Sequence, residues 1–477
     1  YTDSGNGEDN LKLNRFIGSK AFYRKLFAIM LPILVQNVIT NFVSLLDNIM
    51  VGQVGTEPMS GVAIVNQLIF VFNLCIFGGL AGAGIFTAQY YGKNDSNGVA
   101  DTFRAKLYIA AFTSAAFIVV FLLFGEQLIM QFIHEGEEQL DMAATLNYGK
   151  DYLAVMLIQI PPFALQQVYA STLKESGETL VPMKAGIIAV LVNLVGNYIL
   201  IFGKLGLPAL GITGAAVATL LSRVVEFVIV SFYSFRCRTM PLMPHAIFHP
   251  GMDMLHRFLR YSAPVLINET LWGTGFSLIT VIMGHMAESS DLIAAYTLAG
   301  NIDRLVTSGL FGVAAATAVI IGKEIGLGNL KGVYNIGKAL CFTALAFGVL
   351  LGLLEYAMFA TLMRPFVMPL FSLSAVAEHL CSVMLLCYAC SIPLHSFSTT
   401  MAVGVLRGGG DVNASLVIDN VPLWFGTLPL MCLLGLVLKV PNEVFCLCLM
   451  IEYILKTPLG LIRLRSGKWI HDITRIE

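Results

Sequence analysis

Long apolar segments alternate with short polar ones along almost the whole chain. Each apolar segment has at least about 20 mostly apolar residues, the length that an α-helix needs to cross the hydrocarbon core of a bilayer. The short connections carry Gly, Pro, Asn or charged residues, as expected between adjacent antiparallel helices. The pattern predicts twelve membrane-spanning helices, at residues 24–51, 61–91, 103–125, 147–172, 182–203, 209–235, 257–285, 292–325, 336–362, 378–406, 413–438 and 442–463.

The composition indicates the same class of protein. Only 12% of the 477 residues are charged, about half the share in a soluble globular protein, which is roughly 25%. The sequence therefore predicts an all-α polytopic membrane protein whose apolar surface faces the lipid bilayer. Its 29 basic and 30 acidic residues give a net charge of −1, so we expect no nucleic-acid partner, because binding to phosphates needs a basic face.

The basic residues indicate an orientation in the membrane. If the N-terminus is cytoplasmic, most of the 29 basic residues fall in cytoplasmic segments, and the outer ends and loops hold only Lys150, Lys204, Arg364 and Lys439. Cytoplasmic loops of membrane proteins are enriched in Lys and Arg. We therefore expect a multi-pass protein of the cell (inner) membrane with both termini in the cytoplasm.

The chain contains an internal repeat. Leu31-Pro32 corresponds to Ala263-Pro264 at an offset of 232 residues, and Leu173–Glu178 corresponds to Leu406–Asp411 at an offset of 233. Each repeat has six predicted spans, an even number, so both repeats enter the membrane from the same side. The sequence thus predicts two parallel six-helix repeats, an arrangement suited to alternating access.

The repeat divides the chain into predicted regions. An N-lobe of six helices covers 24–235 and a C-lobe of six helices covers 257–465. A cytoplasmic linker, 236–256, joins the lobes, and the tails are 1–23 and 466–477.

Polar residues inside the predicted spans are candidates for function, because a charge at the centre of a bilayer costs about 2.5–3.5 kcal/mol on insertion scales. Asp47 lies on the first span, about one turn from its outer end. Other polar residues line the same face at helical spacing: Asn37, Thr40, Asn41, Ser44 and Asn48. The pattern predicts a functional helix face that contacts water or polar neighbours. The alternative is that these residues only mark the solvated end of the helix.

Two further carboxylates lie within predicted spans. Glu269, with Asn268 beside it, is on the seventh span, and Asp419 is on the eleventh. Neither has an oppositely charged residue one turn away on its own helix. Each is either a functional acid or a neutral acid that is hydrogen-bonded to a neighbouring helix.

The repeat does not duplicate these carboxylates. At the repeat offset, Asp47 corresponds to Ile279, Glu269 to Asn37 and Asp419 to Gly186. We therefore expect each lobe to have its own chemistry, with a coupling ion in one and substrate contacts in the other.

Other charges within the spans have helical spacings that predict pairing. Arg223 and Glu226 are three residues apart on the sixth span, and Glu452 and Lys456 are four apart on the twelfth. Residues at these spacings are neighbours on a helix surface. The first spacing predicts a structural ion pair, whereas Glu452 and Lys456 are expected either to pair or to snorkel toward the interface.

Three more charges have no assigned partner. Glu355 is expected to snorkel toward the interface or to pair. Asp303 and Arg304 are adjacent and point in different directions, so their partners must lie on other helices.

Five short motifs, in this order and spacing, resemble those of the multidrug and toxic compound extrusion (MATE) transporters. The resemblance extends over about residues 24–465. The motifs are Leu31–Gln36, Asp47–Gly52, Ala88–Gly92, Gly214–Thr219 and Arg407–Asp411.

The resemblance implies an exporter with two lobes, driven by a proton or sodium gradient. Asp47 matches the family's acidic residue on the first helix, which takes the coupling cation. Asn193, Asn197 and Thr219 match its partners on the fifth and sixth helices. Many relatives have Asp where this chain has Asn197. A single carboxylate lacks the repulsion between two like charges, which counts against proton coupling. Na⁺ is therefore a candidate for the ion bound at Asp47.

The resemblance also implies a substrate cavity. Its expected residues are Glu269 and Asp419, as counter-charges, together with Asn37, Gln36 and Asn268. Glu269 lies about one turn nearer the proline than the usual acidic residue on the family's seventh helix, and Asp419 resembles one subset of the family. The expected substrates are small, cationic, amphipathic compounds. We expect no cofactor, and a monomer in the lipid bilayer.

Two alternatives follow from the same residues. A lipid-linked oligosaccharide flippase of related architecture would need a cationic central cavity, and of the basic residues within the spans we expect only Arg223 and Arg304 to be available for it. An intramembrane protease would use the Gly408–Asp411 motif, but Asp411 falls in a predicted cytoplasmic loop. We therefore do not expect an enzyme.

Overall fold

The protein is described by a computed structural model that covers residues 19–131, 142–236, 252–367 and 374–474. These residues form twelve long helices and contain no β-strand. The helices are α1 Lys20–Gly52, α2 Thr56–Gly92, α3 Ser96–Met130, α4 Met142–Glu175, α5 Leu180–Phe202, α6 Gly211–Arg236, α7 Met252–Gly284, α8 Ser289–Gly326, α9 Leu330–Pro365, α10 Ala375–Leu406, α11 Val412–Val437 and α12 Asn442–Ser466.

The predicted spans are confirmed, since all twelve helices are long and apolar enough to cross a membrane. Several helices begin earlier than the apolar pattern does, because their first turn is capped by a polar residue. The side chain of Asp95 accepts a hydrogen bond from Gly98 N at 3.0 Å at the start of α3, and that of Asn329 accepts one from Gly332 N at 3.1 Å at the start of α9. Such caps satisfy backbone N–H groups that a helix leaves free.

Wide, π-helical turns interrupt α9, α10 and α11. They cover Phe359–Val367, Thr400–Leu406, Pro422–Thr427 and Leu433–Val437. Prolines lie within or before these stretches, and proline removes a backbone N–H and clashes with the preceding turn, so the helix widens locally. Two of the wide stretches lie next to charged residues, one directly before Arg407 and one shortly after Asp419.

The contacts divide the chain into two compact units. The N-terminal unit comprises Val35–Thr270, and the C-terminal unit comprises the described residues up to Leu34 and those from Leu271 onward. Helices α1 and α7 therefore contribute residues to both units. The lobe limits read from the sequence, 24–235 and 257–465, stay predictions.

In the N-terminal unit, α2 packs on α3 and α4, α4 packs on α6, and α5 packs on α6. The first part of α7 lies against α2. A Cβ atom at Gly82 would be 2.3 Å from Cα of Ser262, so only glycine permits this approach. Next to it, the rings of Phe86 and Phe258 meet edge to face with 4.7 Å between their centroids.

The C-terminal unit repeats these pairings: α8 packs on α9 and α10, α10 packs on α12, and α11 packs on α12. The correspondence agrees with two six-helix repeats. The first part of α1 joins this unit through Phe22 and Leu26, which are completely buried, and through an ion pair of 3.0 Å between Lys25 and Glu324 at the end of α8.

Candidate functional site

Four predicted site residues from three helices come together in the N-terminal unit. The amide nitrogen of Asn197 on α5 donates a hydrogen bond of 2.6 Å to Oδ1 of Asp47 on α1. The hydrogen-bonding pattern assigns the Asn193 amide with its nitrogen 2.9 Å from each carboxylate oxygen of Asp47, and its oxygen 3.2 Å from Oγ1 of Thr219 on α6. The structure thus joins Asp47, Asn193, Asn197 and Thr219 in one cluster, which we call the Asp47 cluster.

The sequence of α5 and α6 explains how the two amides reach Asp47. Asn193 and Asn197 are one turn apart, so their side chains lie on one face of α5. Small residues let α6 approach closely: a Cβ atom at Gly196 would be 2.9 Å from Cβ of Ala218. Both asparagines are buried, with Asn197 only 1% exposed.

Arg223 on α6 is an electrostatic neighbour of Asp47. Its guanidinium is already paired, because Nη1 lies 3.0 Å from Oε2 of Glu226, which confirms the predicted pair. Gln166 on α4 donates to the other oxygen of Glu226 at 2.8 Å. Arg223 therefore forms an ion pair with Glu226 and also acts electrostatically on Asp47. The spacing rule found the Arg223–Glu226 pair but gave no sign that it lies near Asp47.

The Asp47 cluster offers oxygen atoms of the kind that hard cations prefer: a carboxylate, two amide oxygens and a hydroxyl. One of them, Oδ1 of Asn197, is buried and has no hydrogen-bond partner among the described residues. Leaving a buried amide oxygen without a partner costs about 1–3 kcal/mol. Because the nitrogen of this amide faces Asp47, the oxygen would reach a cation beside Asp47 only if the amide turned.

The predicted cavity residues near α1 and α7 also lie in the N-terminal unit. Gln36 packs against Gly186 of α5: a Cβ atom at Gly186 would be 2.7 Å from the amide nitrogen of Gln36. The amide oxygen of Gln36 is buried and has no hydrogen-bond partner among the described residues. Asn37, on the same helix, is half-buried. Asn268 is buried, and the half-buried Glu269 lies beside Gly78 of α2.

Asp419 belongs to the C-terminal unit and has two cationic neighbours. Its carboxylate oxygens lie 3.6 Å from Nη2 of Arg407 and 3.4 Å from Nζ of Lys456. Lys456 also contacts Glu452 at 2.6 Å, so of the two arrangements expected for these residues, pairing is the one observed. All four side chains are at most 11% exposed, so they form a buried ion network. A role of Asp419 as counter-charge to a substrate stays a prediction.

Two features of the C-terminal unit were not predicted from the sequence. Of the cations beside Asp419, Arg407 directly follows α10 and Lys456 lies on α12, so a search along the helix of Asp419 could not find them. Glu355 was expected to snorkel or pair, and this was wrong: it is completely buried, and neither carboxylate oxygen has a hydrogen-bond partner among the described residues. The only sign of this burial in the sequence was that Glu355 directly follows the strongly apolar run Val349–Leu354.

The comparisons with known proteins agree with this architecture. The family model described as MatE matches residues 32–199 and again 264–425, and the two matches begin 232 residues apart, which is the offset of the internal repeat. A probable multidrug resistance protein NorM of Thermotoga maritima is 24% identical over 448 residues, covering 94% of this chain and 93% of the relative. A multidrug resistance protein MdtK of Photorhabdus laumondii is 23% identical over 415 residues, covering 87% and 88%.

Solved structures share the fold. An outward-facing multidrug resistance MATE family transporter of the MOP superfamily superposes with a TM-score of 0.83 at 18% identity, covering 94% of this chain and 97% of that one. A mutant of a Vibrio cholerae MATE transporter gives a TM-score of 0.83 at 16% identity, covering 95% and 98%.

Proposed function

Since the chain belongs to the MatE family of multidrug and toxic compound extrusion transporters, we propose that it is a cation-coupled antiporter that exports small, cationic, amphipathic compounds. Family membership makes it a multi-pass membrane transporter of the multidrug-efflux class and not an enzyme. The coupling cation, the substrate class and the roles of individual residues are the proposal.

One observation carries the proposal: a carboxylate inside a spanning helix is held by two amides from another helix. Asp47 is the acceptor, and Asn193 and Asn197 are the donors, at 2.6–2.9 Å. The energetic cost of a charge within a bilayer makes such a residue a functional candidate. These contacts support the proposal that a cation binds at the Asp47 cluster.

We further propose that this cation is Na⁺ and not a proton. The unpartnered oxygen of Asn197 is an additional neutral ligand that a proton on Asp47 would not use. Binding of Na⁺ would require the amides to turn their oxygens toward the ion, so the two donor hydrogen bonds to Asp47 would be exchanged for ion contacts. Asp47, Asn193, Asn197 and Thr219 would supply the ligands.

Coupling follows if the two arrangements of the Asp47 cluster belong to two conformations of the transporter. A cation shifts a conformational equilibrium only through its different affinity for the two states. The state in which the amide oxygens face Asp47 would bind Na⁺ more tightly than the state with donated hydrogen bonds. The ion gradient would then favour one state on each side of the membrane, as alternating access between the two lobes requires.

We propose that the substrate cation binds near Glu269, with Gln36, Asn37 and Asn268 as polar neighbours. These residues belong to the same contact unit as Asp47. Asp419 is a weaker candidate for the counter-charge, because Arg407 and Lys456 already balance it. Apolar and aromatic side chains would provide the rest of the site.

The arrangement in the cell is also part of the proposal. The excess of Lys and Arg in the predicted inner loops favours cytoplasmic termini and the cell (inner) membrane. We propose a monomer in the bilayer that needs no cofactor.

Dye efflux from proteoliposomes tests the proposed function. Purified protein would be reconstituted, and export of a fluorescent cationic dye would be followed under an inward sodium gradient and, separately, under an inward proton gradient. We expect export with the sodium gradient and its loss in Asp47→Asn. Glu126→Gln, which removes an exposed carboxylate, is the control and should transport normally. Dye export by Asp47→Asn at the wild-type rate under the sodium gradient would contradict the proposal.

A further inference from the structure

One buried carboxylate of the C-terminal unit has no role in the site described above. Glu355 on α9 is completely buried, and both of its carboxylate oxygens lack a hydrogen-bond partner in the described part of the chain. The charge of Asp303 on α8 acts on it electrostatically. Buried polar groups in proteins are almost always hydrogen-bonded, so an unpartnered carboxyl needs an explanation.

The packing of three helices places the two acids at one level. Val306 of α8, Leu351 of α9 and Ile392 of α10 pack in one small apolar cluster. Asp303 lies one turn before Val306, and Glu355 lies one turn after Leu351. Since α8 and α9 are consecutive antiparallel spans, both acids are displaced from the cluster in the same direction.

The third helix brings a phenol to the same level. Tyr388 lies one turn before Ile392, and α10 runs antiparallel to α9. Glu355 and Asp303 both act electrostatically on Tyr388. A close approach of α9 to α10 fixes this geometry: a Cβ atom at Gly352 would be 2.5 Å from the carbonyl oxygen of Ala389.

The remaining polar groups around the pair add no cation that contacts Glu355. Arg304 is exposed and acts on Asp303, its neighbour in sequence. The other ionisable groups near Tyr388 or Asp303 are Tyr296 on α8 and Cys446, Glu452 and Tyr453 on α12. Lys456 contacts Glu452 and Asp419 instead. An ionised Glu355 would thus be a buried anion beside a second anion.

An isolated ionised carboxylate in an apolar environment is so costly that such a group is usually neutralised. We propose that Asp303 and Glu355 form a proton-binding site, in which Glu355 takes up a proton and forms a new O–H bond. The proton comes from the aqueous phase, and Asp303, which is half-buried, is the more accessible of the two acids.

The geometry favours a proton over a metal cation. A metal ion needs several oxygen ligands that converge on it, whereas neither oxygen of Glu355 has a hydrogen-bond partner among the residues that the structure describes. A proton neutralises the carboxylate without any further ligand. Neither acid belongs to the Asp47 cluster, so the inference stands whether or not Asp47 binds sodium.

Infrared spectroscopy of the reconstituted full-length protein tests the inference. A protonated carboxyl group has a C=O stretching band that a carboxylate lacks. We expect wild type at neutral pH to show such a band, and Glu355→Gln to lack it. Glu126→Gln is the matched control and should keep the band, because Glu126 is exposed and paired with Lys150 at the surface.

A second variant covers the case in which Glu355→Gln does not fold. Asp303→Asn removes the neighbouring negative charge, so the ionised form of Glu355 becomes less unfavourable and the band should vanish at a lower pH than in wild type. Identical spectra of wild type and Glu355→Gln would overturn the proposal. A band that disappears on addition of NaCl at constant pH would overturn it too, because the site would then bind a metal cation.

Discussion

The amide nitrogen of Asn197 donates a hydrogen bond of 2.6 Å to the carboxylate of Asp47 across 150 positions of sequence. The contact joins the first spanning helix to the fifth. The other amide group of this helix, Asn193, approaches the same carboxylate at 2.9 Å. Both amides thus donate to Asp47, while the oxygen of Asn197 has no hydrogen-bond partner in the described part of the chain.

Asn197→Ala should weaken sodium binding without preventing folding. The substitution removes one proposed ligand oxygen and one donor to Asp47, and loss of a group that only supports a metal's ligands already costs about 10–100-fold in affinity. The measurement is the sodium concentration that half-saturates dye export in proteoliposomes. An unchanged half-saturating concentration would remove Asn197 from the proposed site.

Asn197→Asp should increase the response of the transporter to a proton gradient. The variant places a second carboxylate beside Asp47, and two adjacent like charges favour retention of a proton by one of them. Dye export by the variant should therefore rise under an inward proton gradient relative to wild type. Asn197→Gln, which keeps the amide, is the control and should not show this rise.

Lys456→Met should destabilise the C-terminal unit. Lys456 contacts Asp419 at 3.4 Å and Glu452 at 2.6 Å, and its removal leaves two buried anions with Arg407 as the only cation of the network. Breaking a buried ion network in this way costs about 3–5 kcal/mol. Thermal unfolding in detergent should show a lower Tm for Lys456→Met than for wild type. Lys331→Met, at an exposed position, is the control and should leave Tm unchanged.

Asp419→Asn distinguishes a structural from a substrate role for this residue. In the ion network, loss of the charge lowers Tm, since Arg407 and Lys456 lose their shared partner. A substrate counter-charge would instead show as weaker dye binding at unchanged Tm. We expect the first result, measured by thermal unfolding together with fluorescence titration of the dye.

Trp469→Ala should also destabilise the protein, although Trp469 lies beyond the last helix. The indole is completely buried, packs on Gly337 and Gly409, and donates to the carbonyl of Leu464 at 3.2 Å. Replacing such a side chain by Ala costs about 3–5 kcal/mol. Tm in detergent should fall, while Lys468→Ala, at an exposed neighbouring position, should leave Tm unchanged.

The sequence was sufficient to predict the fold because each span needs only local information. An apolar run of sufficient length forms a helix in a bilayer whatever its neighbours are, so all twelve helices were found. Their ends were less accurate, since capping residues such as Asp95 and Asn329 lie outside the apolar runs. The limits of the contact units within α1 and α7 could not be read from the pattern, because they depend on which helices pack together.

The candidate site was predictable only as far as the family motifs extended. The resemblance named Asp47, Asn193, Asn197 and Thr219, and the structure brings these four together. Contacts between residues that are distant in the sequence could not be predicted from it. Asp419 lacks a cation on its own helix, yet Arg407 and Lys456 flank it, and Glu355 has no partner although its type suggested one.

The central claim is that Asp47 holds the sodium ion that drives export. Its most direct test is uptake of radioactive sodium into proteoliposomes that contain the cationic dye, compared between wild type and Asp47→Asn. The account predicts dye-dependent sodium uptake by wild type and none by Asp47→Asn, with Glu126→Gln equal to wild type. Dye-dependent sodium uptake by Asp47→Asn at the wild-type rate, or none by wild type while it exports dye, would contradict it.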